Sequence, residues 1–223
     1  MASIAFFDVD KTLVKGYSGY YAALLLIKKG ILKKRRLLLA LFYRLVSPLY
    51  RGNLEKLYEI AAYDMAGKTL TEILEIGKEC FDRWVKNLIY VEGLQAIEAH
   101  KKKGDRVYLI TSGPYMIIQI LADFLKVDGF YSAGPMIDKE GRLTRKIKLP
   151  IYYQEGKLVA AQEVVQKYGI SWENCYFYSD SIDDIPLLEK VGHPRIVNPD
   201  SHLLKIGQKR GWLALYYTQV LGD

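Results

Sequence analysis

The stretch FFDVDKTLV, residues 6–14, places two acidic side chains directly after an apolar run. Residues 3–9 (SIAFFDV) have the composition of a short strand that is buried on both faces of a parallel sheet. Asp8 and Asp10 therefore stand at the carboxyl end of that strand. Aspartate is common where strands stop, so a simple turn is one interpretation. Clustered carboxylates repel one another, however, and they also occur where a cation or a proton transfer requires them.

Further apolar runs indicate more strands of the same kind. They are residues 105–111 (DRVYLIT), 129–133 (GFYSA), 174–180 (NCYFYSD) and 194–198 (PRIVN). Helical patterns lie between or after them, at residues 91–104, 114–125, 156–169 and 183–192. Strands that alternate with helices predict an α/β fold built on a parallel sheet.

Residues 16–88 interrupt this alternation, because the whole stretch has a helical pattern with turns near Gly30, residues 48–52 and Gly67. So many helical residues between two strands exceed what a simple crossover needs. We therefore predict an all-helical cap at 16–88, inserted in an α/β core formed by 1–15 and 89–223.

The composition limits the class of protein. Of 223 residues, 50% are hydrophobic, which suffices for one large domain or one domain with an insertion. The start of the chain lacks a secretory signal pattern, and no uncharged apolar run reaches 18 residues. Cys80 and Cys175 lie far apart, which favours buried free thiols in a reducing compartment. These features predict a cytoplasmic protein.

The net charge of +7 is unevenly distributed. No acidic residue lies between Asp10 and Glu55, whereas that interval holds ten lysine and arginine residues. Such a bias indicates an anionic partner, for which nucleic acid, phosphate-bearing substrates and acidic lipid surfaces are candidates. The tyrosines fall mostly at apolar strand or helix positions, so we do not expect a nucleic-acid partner.

Several residues that offer carboxylates, hydroxyls, backbone N–H groups or an ammonium group stand at the predicted strand ends or at a helix start. They are Asp8, Asp10, Thr111, Ser112, Gly113, Lys157, Asp180, Asp183 and Asp184. Ligands of open parallel sheets bind at the carboxyl ends of the strands, so these groups should converge. Carboxylates offer the hard oxygen ligands that Mg²⁺ prefers, and the hydroxyl, backbone N–H groups and lysine offer an anion cradle. Together they predict a phosphoryl-transfer site.

Four motifs in order give the chain a family resemblance. They are DVDKT at residues 8–12, Thr111 at the end of a strand, Lys157, and SDSIDD at residues 179–184. With them the chain resembles haloacid dehalogenase (HAD) superfamily phosphatases, specifically the phosphoserine-phosphatase-like subfamily IB with a helical C1-type cap. The resemblance covers essentially the whole chain and implies an HAD-like, Rossmannoid parallel sheet. It also implies a phosphoric monoester hydrolase.

The resemblance implies roles for individual residues. Asp8 would be the nucleophile that forms an aspartyl-phosphate, and Asp10 the general acid and base. Thr12 would brace the loop, and Lys157 would neutralise charge shared by Asp8 and the phosphate. Thr111, with the backbone of Ser112 and Gly113, would hold the phosphoryl group. The Mg²⁺ site would be formed by Asp8, the backbone carbonyl of Asp10, and Asp180. Asp184 would stand behind these ligands or reach the metal through water, with Asp183 as the alternative to Asp184.

The substrate is less constrained than the reaction. Phosphoserine phosphatases carry an acidic residue shortly after the first motif, and here that stretch, VKGYSGYYAALLL (residues 14–26), has none. Residues 24–50 are rich in leucine, and all of their charged residues are basic. This composition fits either the core of a cap or a helix lying on an anionic membrane. The substrate is thus predicted to be a small phosphometabolite or a lipid phosphate such as phosphatidylglycerophosphate, the latter with peripheral contact at the inner face of the membrane.

Two other functions stay open. One is a membrane- or polyanion-binding module on an HAD scaffold with vestigial catalysis, against which the full set of acids and Lys157 argues, because such a module has no use for Asp10. The other is a phosphotransferase that passes the phosphoryl group to an acceptor other than water.

Overall fold

A computed structural model describes residues 3–35, 38 and 53–223 of the chain. Its strands, in chain order, are β1 (Ile4–Phe7), β2 (Arg106–Pro114), β3 (Gly129–Ala133), β4 (Pro135–Ile137), β5 (Leu143–Ile147), β6 (Cys175–Ser179), β7 (His193–Val197) and β8 (Leu213–Leu215). Six of them form one parallel sheet in the order β3-β2-β1-β6-β7-β8, and β4 and β5 form an antiparallel hairpin. The predicted α/β fold with a parallel sheet is confirmed.

The helices of the described residues are α1 (Ser18–Lys28), α2 (Asn53–Met65), α3 (Leu70–Cys80), α4 (Val91–Lys102), α5 (Tyr115–Leu125), α6 (Glu155–Tyr168), α7 (Ile185–Leu188) and α8 (Ser201–Arg210). A π-helical turn (Phe81–Val85) and a 3₁₀ turn (Lys86–Leu88) follow α3. None of these described helices combines the length and the apolar character needed to cross a membrane.

The first strand lies in the middle of the sheet and is buried on both faces. Ile4 pairs with Arg106 of β2 on one side and with Cys175 of β6 on the other. Ile4 and Phe6 pack in the cluster that includes α6 and α7, whereas Ala5 and Phe7 pack in the cluster that includes α1, α3 and α5. This alternation between two cores explains why β1 is apolar at every position.

The predicted helical stretch is present as α1, α2 and α3, and residues 36, 37 and 39–52 lie outside the described residues. Most of the basic, leucine-rich segment at 24–50 therefore lies outside them too. Helices α1 and α3 share one apolar cluster with α5 and β1. Their approach is close: a Cβ on Gly77 would lie 2.2 Å from the carbonyl oxygen of Met116 in α5. The division into a core and a cap at 16–88 stays a prediction.

The hairpin β4–β5 and the strand β8 were not predicted. The hairpin is held by the turn between α2 and α3, where the N–H of Gly67 donates to the carbonyl of Leu143 at 2.8 Å and the N–H of Leu143 donates to Lys68 at 2.8 Å. Gly67 has a φ of +84°, which suits glycine at this turn. Helix α3 then begins with a capping box between Thr69 and Glu72.

Two helices differ in their bounds from the sequence prediction. Pro114 ends β2 and caps α5 instead of standing inside its first turn. The pattern at 183–192 yields a 3₁₀ turn (Ile182–Asp184) and the four-residue α7 instead of one long helix. The predicted buried, free state of Cys80 and Cys175 is confirmed.

Candidate active site

The first motif forms a tight turn after β1. The N–H of Asp8 still donates to the Tyr178 carbonyl of β6 at 2.9 Å, so the strand pairing continues to the first aspartate. The N–H groups of Thr12, Leu13 and Val14 then donate back to the Val9 carbonyl at 3.2, 2.8 and 3.0 Å. This turn keeps Asp8 and Asp10 at the carboxyl edge of the sheet, both largely withdrawn from water.

Six charged side chains meet at this edge, and we call them the strand-end cluster. They are Asp8, Asp10, Lys11, Lys157, Asp180 and Asp184, and all of them line one cavity. Five of the six were predicted to converge. Lys11 was not, although it lies within the first motif.

Lys157 bridges two carboxylates at the centre of the cluster. It is the third residue of α6, and its Nζ lies 2.8 Å from Oδ1 of Asp8 and 2.6 Å from Oδ2 of Asp184. Burial disfavours its charge, but the attraction of Asp184 and Asp8 outweighs burial and raises the pKa of Lys157. The ammonium group is therefore charged and fixed between a strand end and the last motif. The hydroxyl of Ser179 also donates to Asp184.

Asp180 is held by the first motif. The Nζ of Lys11 lies 2.8 Å from its Oδ2, and the Thr12 hydroxyl donates to its Oδ1 at 3.3 Å. The N–H of Asp180 donates to the Thr12 hydroxyl at 3.0 Å, and Thr12 is fully buried. This reciprocal pair ties the end of β1 to the end of β6 through one threonine side chain.

Asp10 lies at the start of α1. The N–H of Ser18, the first residue of that helix, donates to its Oδ1 at 2.8 Å. Burial is the main reason that the pKa of Asp10 is raised to about 6, and the bonds from Ser18 oppose that rise. A helix N-terminus favours a carboxylate, so α1 holds this side chain in place.

Thr111, Ser112 and Gly113 form the last residues of β2 before Pro114. The N–H of Gly113 donates to the Thr111 hydroxyl at 3.0 Å, and Thr111 is buried at the base of the cavity. The Ser112 carbonyl accepts a hydrogen bond from the hydroxyl of Tyr58 on α2. Burial raises the pKa of that phenol, so Tyr58 remains a neutral donor. Sequence reasoning missed Tyr58, because nothing in the sequence marks it among 18 tyrosines.

The last motif contains two adjacent aspartates that differ in position. Asp184 is buried and bonded to Lys157 and Ser179. Asp183 is only partly buried and accepts a hydrogen bond from the Gln154 side chain at 3.1 Å. Of the two, Asp184 is the member of the strand-end cluster.

The cluster has the donors and the charge that suit a divalent cation. Four carboxylates face two ammonium groups, so the ionised cluster has an excess of negative charge. Carboxylate oxygens are the ligands that Mg²⁺ prefers. In the described residues, no three His, Cys, Asp or Glu side chains are gathered closely enough to hold a metal ion. Here Lys157 and Lys11 contact the carboxylates instead, and the predicted ligand set of Asp8, Asp10, Asp180 and Asp184 stays a prediction.

One cavity of about 1220 Å³ extends from the strand-end cluster to the helices α1 and α2. The residues that α1 and α2 contribute include Tyr20, Ala23, Leu54, Leu57, Ile60, Ala61 and Met65, which we call the helical wall. Strand β3 and the hairpin also contribute to the lining, with Phe130, Met136 and Ile137. The phosphoryl chemistry and the space for a substrate therefore belong to one continuous cavity.

Comparison with known proteins identifies the family. Residues 5–189 match the sequence profile of the haloacid dehalogenase-like hydrolases. A probable phosphatase of Mycobacterium tuberculosis is 32% identical over 218 residues, which are 96% of this chain and 75% of that protein. A phosphoserine phosphatase of the same organism is 27% identical, covering 95% and 70%. A histidinol-phosphatase of Neisseria meningitidis is 26% identical, covering 97% and 100%.

A solved structure has nearly the same fold. A protein of unknown function from Bordetella pertussis superimposes with a TM-score of 0.85 at 26% identity, covering 96% of this chain and 99% of that one. The family match and the relatives named as phosphatases confirm the predicted HAD resemblance and the phosphatase class, and the structural match supports the α/β fold. The subfamily and the C1-type cap stay predictions. The chain belongs to the haloacid dehalogenase-like hydrolase family.

Proposed function

We propose that the protein hydrolyses a phosphomonoester through a covalent intermediate on Asp8. The observation that carries this proposal is the contact of the buried Asp8 carboxylate with the fixed ammonium of Lys157 at 2.8 Å. A carboxylate in that position can attack phosphorus, while Lys157 neutralises charge on the phosphoryl oxygens. Thr111, at the end of the neighbouring strand, lies beside the same cavity and can hold the phosphoryl group.

The proposed reaction has two steps. In the first, an oxygen of Asp8 bonds to phosphorus, the ester P–O bond breaks, and protonated Asp10 gives its proton to the leaving oxygen. In the second, Asp10 takes a proton from a water molecule that attacks phosphorus, and the bond to Asp8 breaks. Inorganic phosphate leaves, and both carboxyl groups return to their starting state. The hydrogen bond from the Ser18 N–H keeps Asp10 at the site during both steps.

We also propose Mg²⁺ as the cofactor, held by the carboxylates of Asp8 and Asp180 and by the Asp10 carbonyl, with Asp184 direct or through water. Such an ion supplies positive charge beside the phosphoryl oxygens. The excess of carboxylates over ammonium groups supports this choice. Lys11 would then have to leave Asp180, which its half-exposed side chain allows.

The test measures p-nitrophenyl phosphate hydrolysis after treatment with a chelator, with and without added Mg²⁺. We expect activity that needs Mg²⁺, at least a thousandfold loss in Asp8→Asn, and a change of less than about threefold in the control Asp183→Asn. Equal rates for the wild type and Asp8→Asn would defeat the proposal and favour the binding module. For Asp10→Asn, we expect mass spectrometry to find a phosphoryl group on the peptide that contains Asp8.

Transfer to an acceptor other than water remains the alternative reaction, because it uses the same residues. Product analysis in the presence of alcohols separates the two, since a phosphotransferase forms new phosphate esters. The substrates proposed are those predicted from the sequence, a small phosphometabolite or a lipid phosphate. Two relatives are named phosphoserine phosphatase and histidinol-phosphatase, and these names support a small phosphometabolite.

A further inference from the structure

The cavity beside the strand-end cluster is large for a small phosphometabolite. Its volume is about 1220 Å³. Pockets for drug-sized molecules usually measure about 300–1,000 Å³ and enclose most of the ligand. A molecule of the size of phosphoserine would occupy only the end near Asp8, and the remainder would hold water against apolar side chains. Such an arrangement is unfavourable unless the leaving group extends into that space.

The helical wall is apolar along one face of α2. Leu54, Leu57, Ala61 and Met65 follow the spacing of a single helix face, and all four line the cavity. Met65 is buried in the main apolar cluster and Ala61 packs on it, whereas Leu54, Leu57 and Ile60 remain partly exposed at the cavity. Met136 and Ile137 of the hairpin also line it and are 48% and 43% exposed. Partly exposed apolar side chains that line one cavity indicate a site for an apolar ligand.

The charges of the lining exclude one kind of leaving group. Among the described residues, the carboxylates that line the cavity are Asp8, Asp10, Asp180, Asp183 and Asp184, and all of them follow β1 or β6. Residues 36, 37 and 39–52 contain no aspartate or glutamate, so their sequence provides no further carboxylate. The charged residues farther along the lining are the lysines Lys33, Lys56 and Lys148. An ammonium group at the far end of a long leaving group would therefore lie away from these carboxylates and lose water without gaining a partner, which is costly.

We propose that the site takes phosphomonoesters whose leaving group is a long apolar chain without an ammonium group, that is, amphiphile phosphates. This inference rests on the proposed function and names its substrate class. The phosphoryl group lies at the strand-end cluster, and the chain lies along the exposed part of the helical wall. It places phosphoserine and histidinol phosphate, which lack a long apolar chain, among the poor substrates.

The first test compares butyl, hexyl and octyl phosphate below their micelle concentrations. Each buried methylene contributes up to about 0.8 kcal/mol, so we expect kcat/KM to rise about twofold or more per methylene, and tenfold or more from butyl to octyl. The matched probe is 8-aminooctyl phosphate, which has the same chain with a terminal ammonium. We expect its kcat/KM to be at least tenfold below that of octyl phosphate. O-Phosphoserine should be poorer still.

A variant tests the position of the chain. Ala23 of α1 lies in the helical wall, so Ala23→Trp should fill part of the cavity and lower the octyl-to-butyl ratio of kcat/KM at least fivefold. The matched control is Ala99→Trp on α4, where the side chain is exposed away from the cavity and the ratio should not change. A ratio that is unaffected by Ala23→Trp contradicts the proposed path.

Other outcomes would overturn the inference as a whole. They are a flat chain-length series, equal rates for octyl and 8-aminooctyl phosphate, or preference for O-phosphoserine. If p-nitrophenyl phosphate is still hydrolysed in an Asp8-dependent way, only the substrate class fails, whereas Asp8-independent hydrolysis defeats the proposed function itself. Vesicles that contain phosphatidate test whether the amphiphile phosphate comes from a membrane. Hydrolysis of phosphatidate in the vesicles assigns a membrane lipid, whereas hydrolysis of octyl phosphate alone assigns a free amphiphile.

Discussion

The two ends of the cavity are built in opposite ways. At the strand-end cluster, charged side chains are buried and held by short ion pairs, such as those of Lys157 at 2.8 and 2.6 Å. At the helical wall, aliphatic side chains such as Leu57 and Ile60 face open space. A hydrogen bond from Tyr58 to the Ser112 carbonyl connects α2 to the end of β2.

This difference separates the determinants of reaction and substrate. Phosphoryl transfer needs charges at fixed positions, and only a buried, fully bonded network can hold them. Selection of a leaving group needs shape and apolar surface, which helices can supply without fixed bonds. We therefore expect substitutions in the cluster to affect stability and rate together, and substitutions near the helices to have smaller effects.

The largest effect is expected from Lys157→Met. Without the ammonium group, Asp8 and Asp184 would be buried beside each other without a cation, which costs about 3–5 kcal/mol. The matched control is Lys78→Met, which removes the ion pair with Asp82, where both side chains are at least half exposed, and it should cost less than about 1 kcal/mol. Urea unfolding measures both. Similar losses in the two variants would show that burial of the pair does not matter.

A medium effect on stability is expected from Gly77→Ala, where α3 packs on α5. In Gly77→Ala the new Cβ would lie 2.2 Å from the Met116 carbonyl oxygen, so α3 must move away from α5, at about 1–3 kcal/mol. The control is Gly19→Ala in α1, where the nearest atom to the new Cβ would be Cδ of Pro114 at 3.7 Å, an ordinary contact. We expect the control to stay within about 1 kcal/mol of the wild type in thermal unfolding. Equal shifts in melting temperature would contradict the close packing of α3 on α5.

The smallest effect is expected from Tyr58→Phe. The substitution removes one hydrogen bond to the Ser112 carbonyl and should cost about 1 kcal/mol. Because Ser112 follows Thr111, we also expect kcat/KM for p-nitrophenyl phosphate to fall about fivefold. Tyr216→Phe, at an exposed tyrosine, is the control and should change neither quantity. A kcat/KM value for Tyr58→Phe that equals that of the control would show that α2 does not position the end of β2.

The strands and the convergence of the site could be predicted because each has a local cause. Residues 4–7 and 107–110 are apolar at every position, which is typical of a strand buried on two faces. Because ligands of parallel sheets bind at the carboxyl ends of the strands, Asp8 and Asp180 are expected together although 172 positions separate them in sequence. Lys157 was predicted from its place at a helix start and from the family motif, and its contact with both Asp8 and Asp184 fits that place.

Other features depend on tertiary contacts that leave no local signal. The hairpin β4–β5 has exposed Met136 and Ile137 and is fixed by bonds to the turn at Gly67. The short α7 follows a 3₁₀ turn capped by Ser181, which the helical pattern of 183–192 conceals. Tyr58 owes its place to the docking of α2, so its sequence neighbours could not reveal it.

The excess of carboxylates in the strand-end cluster has a thermodynamic consequence. When all four are ionised, Lys11 and Lys157 leave two negative charges uncompensated, and a phosphomonoester dianion adds two more. A bound cation must therefore raise the affinity for substrate. By reciprocity, substrate raises the affinity for the cation by the same factor. The protein should bind the two together far more strongly than either alone, so that neither the metal concentration nor the substrate concentration by itself determines how full the site is.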